Sequence, residues 1–160
     1  MRWFRFAVLV IAATVLQAGL VANLDVRPNL LLVLLVFFAV YGDLTEAVIS
    51  SFVIGFAADL IAPVMGPQIV SFLVLGTLLA YLHRVVAIRR MPYQAAAVFI
   101  VGVLVGVVSY LLSRLRGQPE IAGFFGTILA TSLYSAIVGP FLFLPCAWWM
   151  RIRTHRFRKQ

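Results

Sequence analysis

Six apolar runs, each closed by charged residues, proline or glycine, set the terms on which this chain can fold. A bilayer hydrocarbon core is about 30 Å thick and a helix rises about 1.5 Å per residue, so a run near 20 residues is long enough to cross. The runs cover residues 6–22, 30–41, 47–61, 68–82, 93–112 and 124–149. They predict one domain over residues 1–160, an all-α polytopic membrane protein of six transmembrane helices. Composition agrees, because 64% hydrophobic against 11% charged residues leaves too little polar material to cover a water-soluble globule.

Two of the runs are short. The second ends at Tyr41 before Gly42, Asp43 and Glu46, and the third begins at Ala47. A single long helix through both would hold two acids and a glycine at mid-membrane, at several kcal/mol, so a hairpin of short helices is expected. Short helices require local bilayer thinning or burial among neighbours. Pro28 and Asn29 suit the opening turn of the second helix. The break Ala62-Pro63-Val64-Met65-Gly66-Pro67 is read as a tight outer turn, and Gly139-Pro140 with Pro145 predict a tilted or kinked last helix. The start, Met1-Arg2-Trp3-Phe4-Arg5 before an apolar run, resembles a signal peptide but lacks a clean small-x-small cleavage site, and is read as an uncleaved first helix.

Thirteen Lys and Arg against five acids give a net charge of +8. Those basic residues gather at the ends of apolar runs, where they write topology rather than bind nucleic acid. With six passes, Arg2, Arg5, Arg84, Arg89, Arg90 and five residues of the tail fall on one side, ten in all. Arg27, Arg114 and Arg116 fall on the other. Ten against three predicts both termini in the cytoplasm. Trp3, Trp148, Trp149, Tyr41, Tyr81 and Tyr93 then lie near the inner interface as belt aromatics, and the basic tail meets anionic lipid or an acidic cytoplasmic partner.

Little here can carry chemistry. His83 and His155 have no Cys or acid at metal-ligand spacing, no catalytic triad or phosphate loop is present, and the lone Cys146 sits in an apolar run. No enzyme, metal or cofactor is expected. The acid placed inside a run is Asp59, which either reaches water at the outer end of its helix or is buried. Buried, it would bond to neighbouring helices or the 63–67 turn, or pair with Arg27, Arg114 or Arg116. Asp43 and Glu46 are solvated on their turn or pair with the basic residues between 84 and 90. Ser51, Gly55 and Asp59 share a helical face, as do Gly102 with Gly106 and Ser135 with Gly139, and each set is a seam for close helix packing within the bundle or against another subunit.

The stretch from Pro28 to about Val85 resembles the MreD family, the small membrane subunit of the bacterial rod-shape complex, or elongasome. Arg27-Pro28-Asn29-Leu30-Leu31-Leu32 carries the likeness, with Gly55-x-x-x-Asp59-Leu60, Gly66, Leu75-Gly76 and Ala80-Tyr81-Leu82. Ala62-Pro63 stands where the family often has a Ser-Gly pair. The resemblance implies a non-catalytic scaffold in the cytoplasmic membrane that supports peptidoglycan synthesis and cell shape. It implies MreC as direct partner, with RodA, its class B penicillin-binding transpeptidase and the actin-like MreB beyond. It also implies a fold similar to the substrate-binding subunits of energy-coupling-factor transporters. Pro28, Gly55, Asp59, Gly66, Gly102 and Gly106 are the candidate partner-binding or structural residues.

A solute-binding subunit of a transporter is the competing function. It requires the polar groups Asp59, Gln68, Ser71, Thr127 and Ser132 to converge on an outward-open pocket.

Overall fold

The computed structural model describes residues 2–19, 28–62, 66–85, 91–117 and 123–150. Among them the regular structure is entirely helical, in six helices: α1 (Arg2–Ala18), α2 (Leu30–Tyr41), α3 (Leu44–Ile61), α4 (Pro67–Val85), α5 (Met91–Leu115) and α6 (Phe124–Trp149). The first helix begins at Arg2, four residues before the apolar run, and residues 20–27 lie outside the described set. Outside it too are Pro63, Arg89, Arg90, the tail from Arg151, and the side chains of His83 and Arg84.

Helix α2 is the centre of the molecule. Its sequence LLLVLLVFFAVY is apolar on every face, and a helix of that kind must be covered on every face. All ten residues from Leu31 to Val40 are buried. The other five helices all pack against it. Its outer partners differ, since α3 packs chiefly on α4 and α5 on α6, so two antiparallel hairpins and α1 enclose one core helix. Exposed Ile49, Phe52, Phe56 and Leu60 on α3, and Val70, Val74 and Leu78 on α4, form the apolar exterior.

Three helices, α3, α5 and α6, are long and apolar enough to cross a membrane, and α1, α2 and α4 contain shorter apolar helices. At twelve residues, α2 is about 18 Å long and falls short of a hydrocarbon core. Burial among the other helices accommodates it, with residues 31–40 covered on every face. The N-terminal end lies beside Ser135, whose Oγ accepts from the Asn29 N–H at 2.8 Å. Because Ser135 is eleven residues into α6, α2 opens about 16 Å below the start of its neighbour.

The first N–H groups of a helix have no partner within it, and here the chain supplies acceptors for them. Asn29 Oδ1 accepts from Leu32 N–H at 3.0 Å and Gln17 Oε1 from Leu31 N–H at 3.3 Å, while Gln17 Nε2 donates to Asn29 Oδ1 at 3.4 Å. Pro28 just before is buried. At the far end of α2, Phe38 stacks edge-on with Phe6 at 4.8 Å and Phe37 with Phe143 at 5.5 Å, and Tyr41 accepts a hydrogen bond from Gln94 Nε2 at 2.8 Å. Tyr41, expected as a belt aromatic, is thus in contact with the core. The same end brings Arg5 to the carbonyl of Trp149 at 3.3 Å, joining the first helix to the last.

Helix α6 runs unbroken from Phe124 to Trp149 with Pro140 and Pro145 inside it.

Candidate functional site

The site with the most specific geometry is the end of the α3–α4 hairpin where α3 finishes and α4 begins. Asp59 sits two residues before the end of α3 and is 1% exposed. Its Oδ1 accepts from Gln68 N–H at 3.1 Å and its Oδ2 from Ile69 N–H at 3.0 Å. Those donors belong to the first turn of α4, whose opening residue Pro67 has no N–H to satisfy. The position before it, Gly66, has φ +113 and no side chain with which to cap the helix. Asp59 therefore provides from α3 the cap that α4 lacks locally, and its negative charge lies at the positive end of the helix dipole.

This arrangement decides between the alternatives left open by the sequence. The carboxylate is buried rather than water-facing, and backbone N–H groups are its hydrogen-bond partners. Arg116 packs instead over Gly66, where a Cβ would meet its guanidinium at 2.6 Å. The guanidinium could swing aside from a Cβ, but the positive φ of +113 favours glycine at 66. Arg114 lies over the Tyr110 ring, 5.9 Å from its centroid.

One turn below Asp59, a Cβ on Gly55 would lie 2.9 Å from Ile69 Cα and 3.1 Å from Phe72 Cβ. Another turn below, Ser51 packs against Gly76, where a Cβ would collide with the Ser51 side chain and Leu35 Cδ1. The Ser51, Gly55 and Asp59 face is therefore one continuous seam against α4, closed at the top by the carboxylate. The second seam is equally internal: a Cβ on Gly102 would meet Ser132 Oγ at 2.8 Å and Leu32 Cδ2 at 2.9 Å, and one on Gly106 would meet Ile128 at 2.8 Å. Gly139 of the third faces Val98. All six candidate residues lie in contacts of the chain with itself.

The residues a solute pocket would need do not converge. Asp59 is engaged with the backbone of Gln68 and Ile69, and Ser71 Oγ donates to the Pro67 carbonyl at 2.7 Å and shares a 3.0 Å hydrogen bond with Ser109. Thr127 is exposed and bonds back to Gly123, and Ser132 packs on Gly102. Among the described residues no buried side-chain polar atom is left without a partner, and no three His, Cys, Asp or Glu are grouped as metal ligands. A hollow of about 30 Å³ beside Trp3, Phe6, Glu46 and Ser50 has room for roughly one water. A groove of about 530 Å³ between α5 and α6 is lined by Pro92, Ala95, Ala96, Ala136, Pro140 and Phe141 among others, all apolar. Asp43 is exposed and caps nothing, and the side chains that Asp43 and Glu46 were expected to meet between 84 and 90 are outside the described residues.

Gln17, Asn29 and Ser135 carry no joint signal in the sequence. Ser135 is half of a small-residue pair and Asn29 suits the opening turn of a helix, but their meeting, 106 residues apart, leaves no local trace.

Helices apolar enough to cross a bilayer, a core helix covered on all sides and polar groups spent on the chain's own backbone define a helical integral membrane protein. A sequence model of the family described as rod shape-determining protein MreD matches residues 1–153, and the chain belongs to the MreD family. Rod-shape determination is the role that membership carries. No curated protein and no solved structure matches the chain.

Proposed function

We propose that this chain is a non-catalytic scaffold of the cell-wall elongation complex, crossing the cytoplasmic membrane six times and binding the single-span partner MreC. Through MreC it supports the peptidoglycan synthases RodA and the class B transpeptidase, and connects to MreB on the cytoplasmic side. Family membership over residues 1–153 carries this reading. The interior supports it, because its buried polar side chains are committed to capping and packing the chain's own helices.

In this reading Asp59, Gly55 and Gly66 hold the α3–α4 hairpin in one shape, Gly102 and Gly106 do the same for α5–α6, and Pro28 leads the chain into α2. They act by presenting the lipid-facing exterior to the partner. The even pass count agrees with the contact of Arg5 with Trp149, which sets the first and last helices' ends together. The bundle's likeness to the substrate-binding subunits of energy-coupling-factor transporters belongs to the same reading, with the fold kept and the solute pocket given up.

The test is co-purification of MreC with Asp59→Asn and Gly55→Leu variants accumulated to wild-type levels. Both are expected to recover at most one third of the wild-type MreC. Wild-type recovery from both would overturn the role assigned to the hairpin. An untouched wild-type chain that recovers no MreC would overturn the scaffold reading itself.

A further inference from the structure

We infer that the hollow where α1 begins, α6 ends and α2 turns into α3 binds a primary ammonium, and that its ligand is the ethanolamine headgroup of a membrane lipid. The inference goes beyond the scaffold reading and depends on no contact with MreC.

Trp3 and Phe6 of α1, Phe38 of α2, Glu46 and Ser50 of α3 and Met150 at the end of α6 line the hollow. Aromatic rings make up much of its wall, with Trp3 and Phe6 at 89° and Phe6 and Phe38 at 90° to each other. Such rings attract a cation, more strongly where water is partly excluded. Glu46 brings the counter-charge. Among the described residues no hydrogen bond or ion pair engages its carboxylate, whose Oε2 lies 3.7 Å from where a Cβ on Gly42 would stand. The carbonyl end of α2 and the N–H end of α3 meet at this turn and offset each other, which leaves the charges of Glu46 and the exposed Asp43.

Size and charge name the ligand. About 30 Å³ is the space of one water, and so of one –NH₃⁺ group, whereas a trimethylammonium is far larger. The Ser50 hydroxyl donates to the Ala47 carbonyl at 3.0 Å and keeps its lone pairs for an N–H, as the carboxylate does; methyl groups have no such proton to give. A bare amine would be repelled here, because ten Lys and Arg gather on this side of a six-pass chain. An ethanolamine headgroup carries its phosphate close to its nitrogen, so one molecule answers both signs of charge. Arg5 is the residue to take that phosphate. It spends one N–H on the carbonyl of Trp149, the neighbour of Met150, and a guanidinium has others to give. Exposed Trp3 and Trp149 mark this end as headgroup level.

Native mass spectrometry tests this on the full chain, released from micelles titrated with phosphatidylethanolamine or phosphatidylcholine of identical acyl chains, by the fraction of chain that keeps a lipid. Wild type is expected to keep the ethanolamine lipid about fivefold more than the choline lipid. Glu46→Gln should abolish that preference. Asp43→Asn, which removes an equal charge from the exposed side of the same turn, should leave it. Arg5→Gln should lower retention of both lipids alike, since both carry the phosphate. Equal retention of the two lipids by wild type, or an unchanged preference in Glu46→Gln, would overturn the site. An equal fall in Asp43→Asn would overturn it too, by showing surface charge at work rather than the hollow. Undiminished retention in Arg5→Gln would refute the part given to the phosphate. MreC recovery is read in none of these arms, so loss of the site leaves the scaffold reading standing.

Discussion

Asp59 and Asp43 stand at the two ends of α3 and differ in what removing their charge should do. Asparagine at 59 keeps one acceptor but turns an N–H₂ group toward the second backbone N–H, leaving buried donors facing each other. Asp59→Asn should cost about 1–3 kcal/mol, read as a lower unfolding midpoint by circular dichroism in detergent. Asp43→Asn, exposed and bonded to no helix N–H, should stay within about 0.5 kcal/mol. Equal midpoints for the two variants would mean the carboxylate contributes nothing as a cap. Glycines make a parallel contrast: a methyl on Gly55 presses on Ile69 Cα, which cannot rotate away, whereas one on Gly139 meets a Val98 methyl at 3.2 Å. Gly55→Ala should therefore cost about 1–3 kcal/mol and Gly139→Ala less. At this scale the sequence showed that Asp59 was unusual and that Gly55 shared its face. It did not show the partner, because the donors are backbone groups nine and ten residues on, brought back by a turn whose path no side-chain pattern encodes. The one local clue was Gly66 before Pro67, a helix start with no side chain able to cap it.

The helices themselves were legible wherever charge, proline or glycine closed an apolar run, and least so in how they share the interior. Helix α2 announced its shortness through Asn29 and Gly42, and its all-round apolar sequence fits either a lipid-facing or a central helix. Burial by the other five helices settles the matter, and that depends on contacts from across the chain. A central helix has no tolerant face. Leu35→Ala, Val36→Ala and Phe37→Ala point in three directions, yet each should lower the unfolding midpoint, by about 2–5 kcal/mol for the larger two and less for valine. Ile49→Ala, Phe52→Ala and Phe56→Ala on the exposed face of α3 should change it by about 0.5 kcal/mol at most. The N-terminal cap of α2 is subject to the same logic. Asn29→Ala removes the acceptor for Leu32 N–H at a half-buried helix start and should cost about 1–2 kcal/mol, read as a lower unfolding midpoint.

Across the whole molecule two independent observations bear on topology. Basic residues divide ten against three between the sides of a six-pass arrangement. Packing, which owes nothing to charge, sets the start of α1 beside the end of α6 and the start of α5 beside the end of α2, through Arg5 with Trp149 and Gln94 with Tyr41. Gly66 lies against Arg116 at the opposite end, where α3 turns into α4 and α5 finishes. Helices that alternate in this way return the chain to its starting side after an even number of passes. Of the three shorter apolar helices, α2 is the one buried on every face, recessed and bonded at its start to Gln17, Asn29 and Ser135. Fusions give the decisive measurement. Alkaline phosphatase joined after Gln160 should be inactive and a fluorescent protein there bright, while phosphatase inserted after Gly117 should be active. Active phosphatase at the C-terminus would overturn the placement of both ends in the cytoplasm, and activity both there and after Gly117 would break the six-pass arrangement, because α6 between them would then not cross.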